Sequence, residues 1–118
     1  FYALTKLIGE QFAKNLKNHI IIRTNFVGKQ KWMHPKAFTD RFGTYLFAEN
    51  VASAIREIFD ANIEGIIHIV GDKKLSMYDL AKITTPSIKP MTIDEYHGPP
   101  LTMDMSLDTE RWKKYTLK

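Results

Sequence analysis

Tyr2-Ala-Leu-Thr-Lys6 sets a phenol and an ammonium four residues apart at the head of the chain. On a helix, residues i and i+4 lie one above the other on the same face. A Lys ammonium beside a phenol favours the phenolate and draws the Tyr pKa down from its usual ~10 toward working pH. Tyr2 would then serve as a general acid for a carbonyl oxygen whose carbon receives a hydride. The spacing alone is weakly specific, because Lys is abundant and Tyr78 with Lys82 repeats it. Context separates the two. The first pattern sits on a long helix that leads into a buried strand and a Gly-containing turn. The second opens a helix in which Tyr78 joins Leu80, Ala81 and Ile83 as an apolar contact, so Tyr78 reads as core or rim.

The elements that must hold Tyr2 and Lys6 follow from periodicity. Leu4, Leu7, Ile8, Phe12 and Leu16 recur at helical spacing, which predicts a helix over 2–17 with one buried face, stopped near Asn18. "HIIIRT" is an apolar run too short for another helix, and it suits a strand covered on both faces in a parallel sheet. Residues 25–45 carry Gly, Pro and charge without a sustained period and read as mostly loop, with a short extended piece at Leu46–Phe47. Val51, Ala54, Ile55, Ile58 and Phe59 mark a second helix ending near Asn62, and "GIIHIVG" a second buried strand. Ser76 with Asp79 makes a capping-box-like start to a third helix, ended by Pro86. Residues 87–106 read as a surface excursion with a short strand at "MTI". Asp108 or Thr109 would cap a last short helix through "ERWKKY". This order points to an α/β architecture.

Composition narrows the function class. The chain has 118 residues, 44% of them hydrophobic and 25% charged, with no Cys. Disulfide and thiol chemistry are therefore excluded, and a cytoplasmic setting fits. No apolar run approaches the ~20 residues a membrane span needs. The net charge of +4 fits a solvated surface or a site for an anionic small molecule such as a nucleotide. Nucleic-acid binding lacks a motif to support it. His19, His34, His68 and His97 are scattered without ligand spacing, so no metal site is expected.

Taken in order, "YALTKLIGE", "IIIRTNFVG", "NVASAI", "GIIHIVGDKKLSMYDLAKI" and "MDMSLDTERW" resemble the C-terminal part of an extended short-chain dehydrogenase/reductase, most closely the dTDP-4-dehydrorhamnose reductase branch. The resemblance implies the C-terminal part of a Rossmann-like, doubly wound parallel sheet plus a small substrate-binding subdomain. Residues 1–30 would belong to the core, and 31–118 mostly to the subdomain with returning core elements. It implies NAD(P)H-dependent reduction of a 4-keto nucleotide sugar in a homodimer. Tyr2 would be the proton donor, and Lys6 would hold the nicotinamide ribose. Asn25, Phe26 and Val27 would line the cofactor, while Arg23, Phe26, Lys29 and Trp32 would face the substrate. Read from the residues alone, Arg23 could instead pair with a carboxylate at the strand end, Phe26 could belong to the core, and Lys29 and Trp32 could lie on a solvated loop. Phe26 stands where this branch often has Trp, and Asn50 replaces a common Asp.

The chain opens inside a helical pattern, and its glycines at 9, 28, 43, 65, 71 and 98 are not spaced to form a pyrophosphate-binding loop. The expectation is a C-terminal part that carries half of an active site, with NADP or NAD held mainly by another half. Nucleotide-sugar epimerase or dehydratase chemistry, and a non-catalytic binding subunit of the same fold, remain open alternatives.

Overall fold

A computed structural model describes residues 1–118. The chain begins with α1 (Tyr2–Ala13), β1 (Ile20–Thr24) and β2 (Phe26–Val27). Three short strands follow: β3 (Lys36–Phe38), β4 (Phe42–Gly43) and β5 (Leu46–Phe47). Then come α2 (Ala48–Asp60), β6 (Gly65–Ile69), β7 (Leu75–Ser76), α3 (Met77–Thr84) and β8 (Lys89–Met91).

The centre is a parallel pair, β1 with β6, in the register Ile20↔Gly65 through Thr24↔Ile69. Parallel strands need a crossover, and α2 supplies it. Because strand side chains alternate, Ile20, Ile22, Ile67 and Ile69 face one side, while Ile21, Arg23, Ile66 and His68 face the other. The first side meets the stripe Val51, Ala54 and Ile58 of α2, closing a core with Leu46. The second side meets α1 through Arg23. Helices on both faces of a parallel pair make the doubly wound α/β arrangement.

Three small pairs extend this centre. The pairs β2–β5 and β3–β8 are parallel, and β4–β7 is antiparallel. Ala37, Ala81 and Ile88 form a second apolar cluster, flanked by Trp32 and Tyr78. Tyr78 packs there as an apolar contact of α3, as its place in the helical pattern implies. Ser76 caps α3 by accepting from the Asp79 N–H at 3.0 Å. The Asp79 carboxylate takes the Ser76 hydroxyl at 2.9 Å rather than the backbone N–H that completes a full capping box.

The structure corrects several expectations. Helix α1 stops at Ala13, four residues short, and residues 14–18 turn through a left-handed Asn18 (φ 60). None of its residues is buried, and the stripe Leu4, Leu7, Ile8 and Phe12 stays largely exposed. The last strand covers 89–91, overlapping "MTI" only at Met91. No helix forms through "ERWKKY". Instead Tyr115 makes an isolated bridge to Gly71, with Tyr115 N–H donating to Val70 and Asp72 N–H donating to Tyr115. Arg111 donates to the carbonyls of Ile66 and Glu64, and Trp112, Tyr115 and Leu117 pack on the α2 core. Tertiary anchoring of these side chains wins over a local helical preference that is weak in so short a segment. No helix is long and apolar enough to cross a membrane.

Candidate active site and ligand cavity

Tyr2, Lys6 and Glu10 fall at i, i+4 and i+8, so they stack along one face of α1. The Lys6 ammonium sits over the Tyr2 ring, 5.3 Å from its centroid, in cation–π geometry. Tyr2 is 74% exposed, so no other part of the chain encloses the pair. Glu10 takes two hydrogen bonds from Arg23, at 2.8 Å from Nε and 2.6 Å from a terminal nitrogen. This fork-to-fork contact holds the Glu10 carboxyl below the usual carboxylate range, through the hydrogen bond first and the Arg23 charge second.

Arg23 is the next-to-last residue of β1, and residues 14–19 reverse the chain between α1 and that strand. Tyr2 lies about 12 Å along the helix from Glu10 at 1.5 Å per residue. The N-terminal turns of α1 therefore extend past the carboxyl end of β1, the end at which open α/β sheets bind ligands.

The turn after β1 is partly engaged. Asn25 donates its side-chain N–H to the Met105 carbonyl at 2.6 Å. Phe26 is 56% exposed. Val27 lines a cavity of about 650 Å³. Loop 28–35, strand β3 and α3 wall this cavity, with Met91, Tyr96 and Leu101 closing it from the excursion. Its interior is mainly apolar. Its charged lining residues are Lys31, Lys36 and Arg41, and no carboxylate lines it. Lys36 reaches Glu95 only at 3.9 Å, while Arg41 donates its Nε–H to the Thr102 carbonyl at 2.8 Å.

Trp32 lines the same cavity and is fixed through its backbone N–H, which donates to the Thr85 hydroxyl at 2.8 Å. Its indole N–H is enclosed and meets no acceptor. Lys29 lies outside the lining, its ammonium over the Phe47 ring at 5.2 Å. The sequence-derived residues therefore separate into two places. Tyr2, Lys6 and Arg23 lie along α1 and the end of β1; Val27 and Trp32 belong to the cavity.

Phe38, Arg41, Met77, Leu80 and Tyr96 line the cavity unannounced by any sequence pattern. Periodicity marks Leu80 only as a core residue. Phe38 and Tyr96 pack edge to face at 5.7 Å across 58 positions of sequence, a contact that no local spacing could reveal. His68 Nδ1 lies 2.9 Å from the Asp108 carbonyl and is half-buried, so it is hydrogen-bonded at the edge of the core. No group of three His, Cys, Asp or Glu side chains comes together.

No protein-family model matches the sequence, and no curated protein matches it. Solved structures do. A dTDP-4-dehydrorhamnose reductase from Bacillus anthracis, in complex with NADP, matches with a TM-score of 0.78 at 17% identity, over 98% of this chain and 51% of its own. A reductase of the same name from Clostridium acetobutylicum gives 0.76 at 25% identity, over 92% and 46%. A hypothetical dTDP-4-dehydrorhamnose reductase from Sulfolobus tokodaii gives 0.68 at 28%, over 92% and 45%. The chain spans about half the length of each. It has the α/β fold of roughly half of a dTDP-4-dehydrorhamnose reductase.

Proposed function

We propose that this chain is the substrate-facing, C-terminal part of an NADP- or NAD-dependent reductase of 4-keto nucleotide sugars. The observation that carries the reading is the match of 92–98% of the chain to one half of several dTDP-4-dehydrorhamnose reductases, with a Tyr-x-x-x-Lys helix at the carboxyl end of the parallel pair.

The residues present fit only one end of a dinucleotide. None of the three α-helices begins at a glycine-rich turn, and α3 fills its own N-terminus with Ser76 and Asp79. The pyrophosphate would be held by the other half of the enzyme. At the nicotinamide end, Lys6 would hold the ribose, and Phe26 and Val27 would flank the ring. When bound, the reduced nicotinamide supplies the hydride. Tyr2 would donate its phenolic proton to the keto oxygen, and Lys6 would favour the phenolate left behind. The cavity suits the rest of the substrate: its cations and lack of carboxylates favour a diphosphate, and Trp32, Phe38 and Tyr96 offer apolar faces to a base or sugar.

One observation favours a second reading, a binding unit without catalysis. The cavity lies within the folded part of the chain, whereas Tyr2 stands on an unburied helix. The assembled protein should oxidise NADPH or NADH only when a 4-keto nucleotide sugar is present. Nucleotide-sugar binding without any oxidation would favour the binding unit. Interconversion of the sugar with no net change in cofactor would favour an epimerase or dehydratase.

A further inference from the structure

Helix α1 carries the pair Tyr2 and Lys6, yet it buries none of its residues within the chain. None of its side chains is buried, and Leu4, Leu7, Ile8 and Phe12 all face outward. Its other side-chain hydrogen bonds, Thr5 to the Tyr2 carbonyl and Asn15 to the Gln11 carbonyl, are local. The fork from Arg23 to Glu10 is the one side-chain hydrogen-bonded tie from this helix to another element.

We propose that Glu10 and Arg23 are positioning residues, a two-bond clamp that fixes the axial and rotational setting of α1 against β1 and so places Tyr2 and Lys6. This rests on the reading of Tyr2 as the proton donor. Two parallel N–H···O bonds resist rotation, as one bond or a bare charge pair does not. Glu10 shares the helical face of Tyr2 and Lys6, so any roll that opens the clamp carries the phenol with it. Glu10 is well placed to act as an anchor, its side chain only 17% exposed. Arg23 gives two of its three nitrogens to Glu10, which leaves it poorly equipped to grip a substrate phosphate as well.

The first test uses the chain itself, with amide hydrogen exchange read residue by residue. Glu10→Gln keeps the shape of the side chain and loses its charge, and Arg23→Lys keeps the charge and loses the fork. Each should lower protection across α1 by roughly tenfold or more while leaving Ile20–Thr24 unchanged, because the β1–β6 ladder does not depend on the clamp. The exchange of partners, Glu10→Arg with Arg23→Glu, should recover part of the loss. Unaltered α1 protection in Glu10→Gln would overturn the clamp.

The second test uses the assembled enzyme. Glu10→Gln should lower kcat by roughly 10- to 100-fold with KM for nucleotide sugar near unchanged, as expected for a small misplacement of a reacting group. In a Tyr2→Phe background the same change should cost much less, since Glu10 acts on turnover mainly through Tyr2 and only secondarily through Lys6. A rise in KM with kcat preserved would return Arg23 to the substrate and overturn the proposal. If the reductase reading itself fails, Tyr2→Phe will not lower turnover, yet the exchange experiment will still report whether the clamp exists.

Discussion

At the scale of single residues, the two Tyr-x-x-x-Lys pairs make an internal comparison. Both lysines lie 5.3 Å from the centroid of their tyrosine ring, so the local geometry is the same. The surroundings differ: Tyr78 packs on the Ala37, Ala81 and Ile88 cluster, whereas Tyr2 stands free at the end of α1. With Tyr2 as the proposed proton donor, Tyr2→Phe in the assembled protein should reduce turnover by about 10²–10⁴-fold, the usual contribution of a positioned general acid, with substrate binding retained. Tyr78→Phe should leave turnover near wild type. Steady-state rates for the two variants decide between the pairs, and a dead Tyr78→Phe beside an active Tyr2→Phe would reverse the assignment. Glu10 gives a pH prediction. Its carboxyl is held low by Arg23 on β1, with smaller help from Lys14 on its own helix and from His68 on β6. A carboxyl with a depressed folded-state pKa stabilises the fold above its unfolded value and loses that contribution as pH falls through the folded one. The seating of α1 should thus hold at neutral pH and fail below the ordinary carboxylate range. Ellipticity near 222 nm should fall there before the core unfolds, because a 12-residue helix without a partner is marginal in water.

At the scale of elements, α2 and α3 contrast with α1. The crossover helix α2 buries Val51, Ala54 and Ile58 against both strands of the parallel pair, and Ile58 is fully enclosed. Ile58→Ala should cost about 2–5 kcal/mol and lower the denaturant midpoint accordingly, since it leaves a cavity where helix and sheet meet. The α3 helix has only eight residues, so its cap matters more. Ser76 satisfies the Asp79 N–H, and removal of such a cap typically costs about 1 kcal/mol. Because Met77, Leu80 and Thr84 of α3 form one wall of the cavity, Ser76→Ala should weaken the proposed nucleotide-sugar binding along with stability. Calorimetric titration beside a thermal melt would show whether the two losses travel together.

At the scale of the whole molecule, the chain holds an open apolar cavity and leaves Tyr2 exposed. It matches about half of each solved reductase, and it contains no glycine-rich turn leading into a helix N-terminus. The 118-residue chain by itself should therefore show no saturable binding of NADPH by fluorescence titration. Low-micromolar saturation would mean that it carries its own dinucleotide site. The exposed row Leu4, Ile8, Phe12 and Leu16 is an apolar surface of the kind that drives association. Sedimentation at tens of micromolar should show species larger than a monomer, and Phe12→Glu should shift the distribution toward monomer. A clean monomer for the unaltered chain would count against this.

Much of the framework is legible in the sequence because it depends on local periodicity. The stripe Val51, Ala54 and Ile58, the runs "HIIIRT" and "GIIHIVG", and the Ser76 cap each carry their structure within a few residues, and each appears where expected. The same applies to the stacking of Lys6 on Tyr2, which a four-residue helical spacing imposes. Beyond that reach the pattern fails in two ways. Helix α1 shows a core-like stripe that nothing in the chain covers, because periodicity reveals that a face seeks burial and not whether a partner is present. The segment "ERWKKY" looks helical, yet Arg111, Trp112 and Tyr115 find long-range partners on β6 and α2 that outweigh its weak local preference. The cavity, and Glu10 as the carboxylate that pairs with Arg23, were settled only by tertiary structure. They join residues separated by 13 positions in the clamp and by as many as 74 in the cavity, from Val27 to Leu101, and such contacts arise from how whole elements pack, which no short window of sequence encodes.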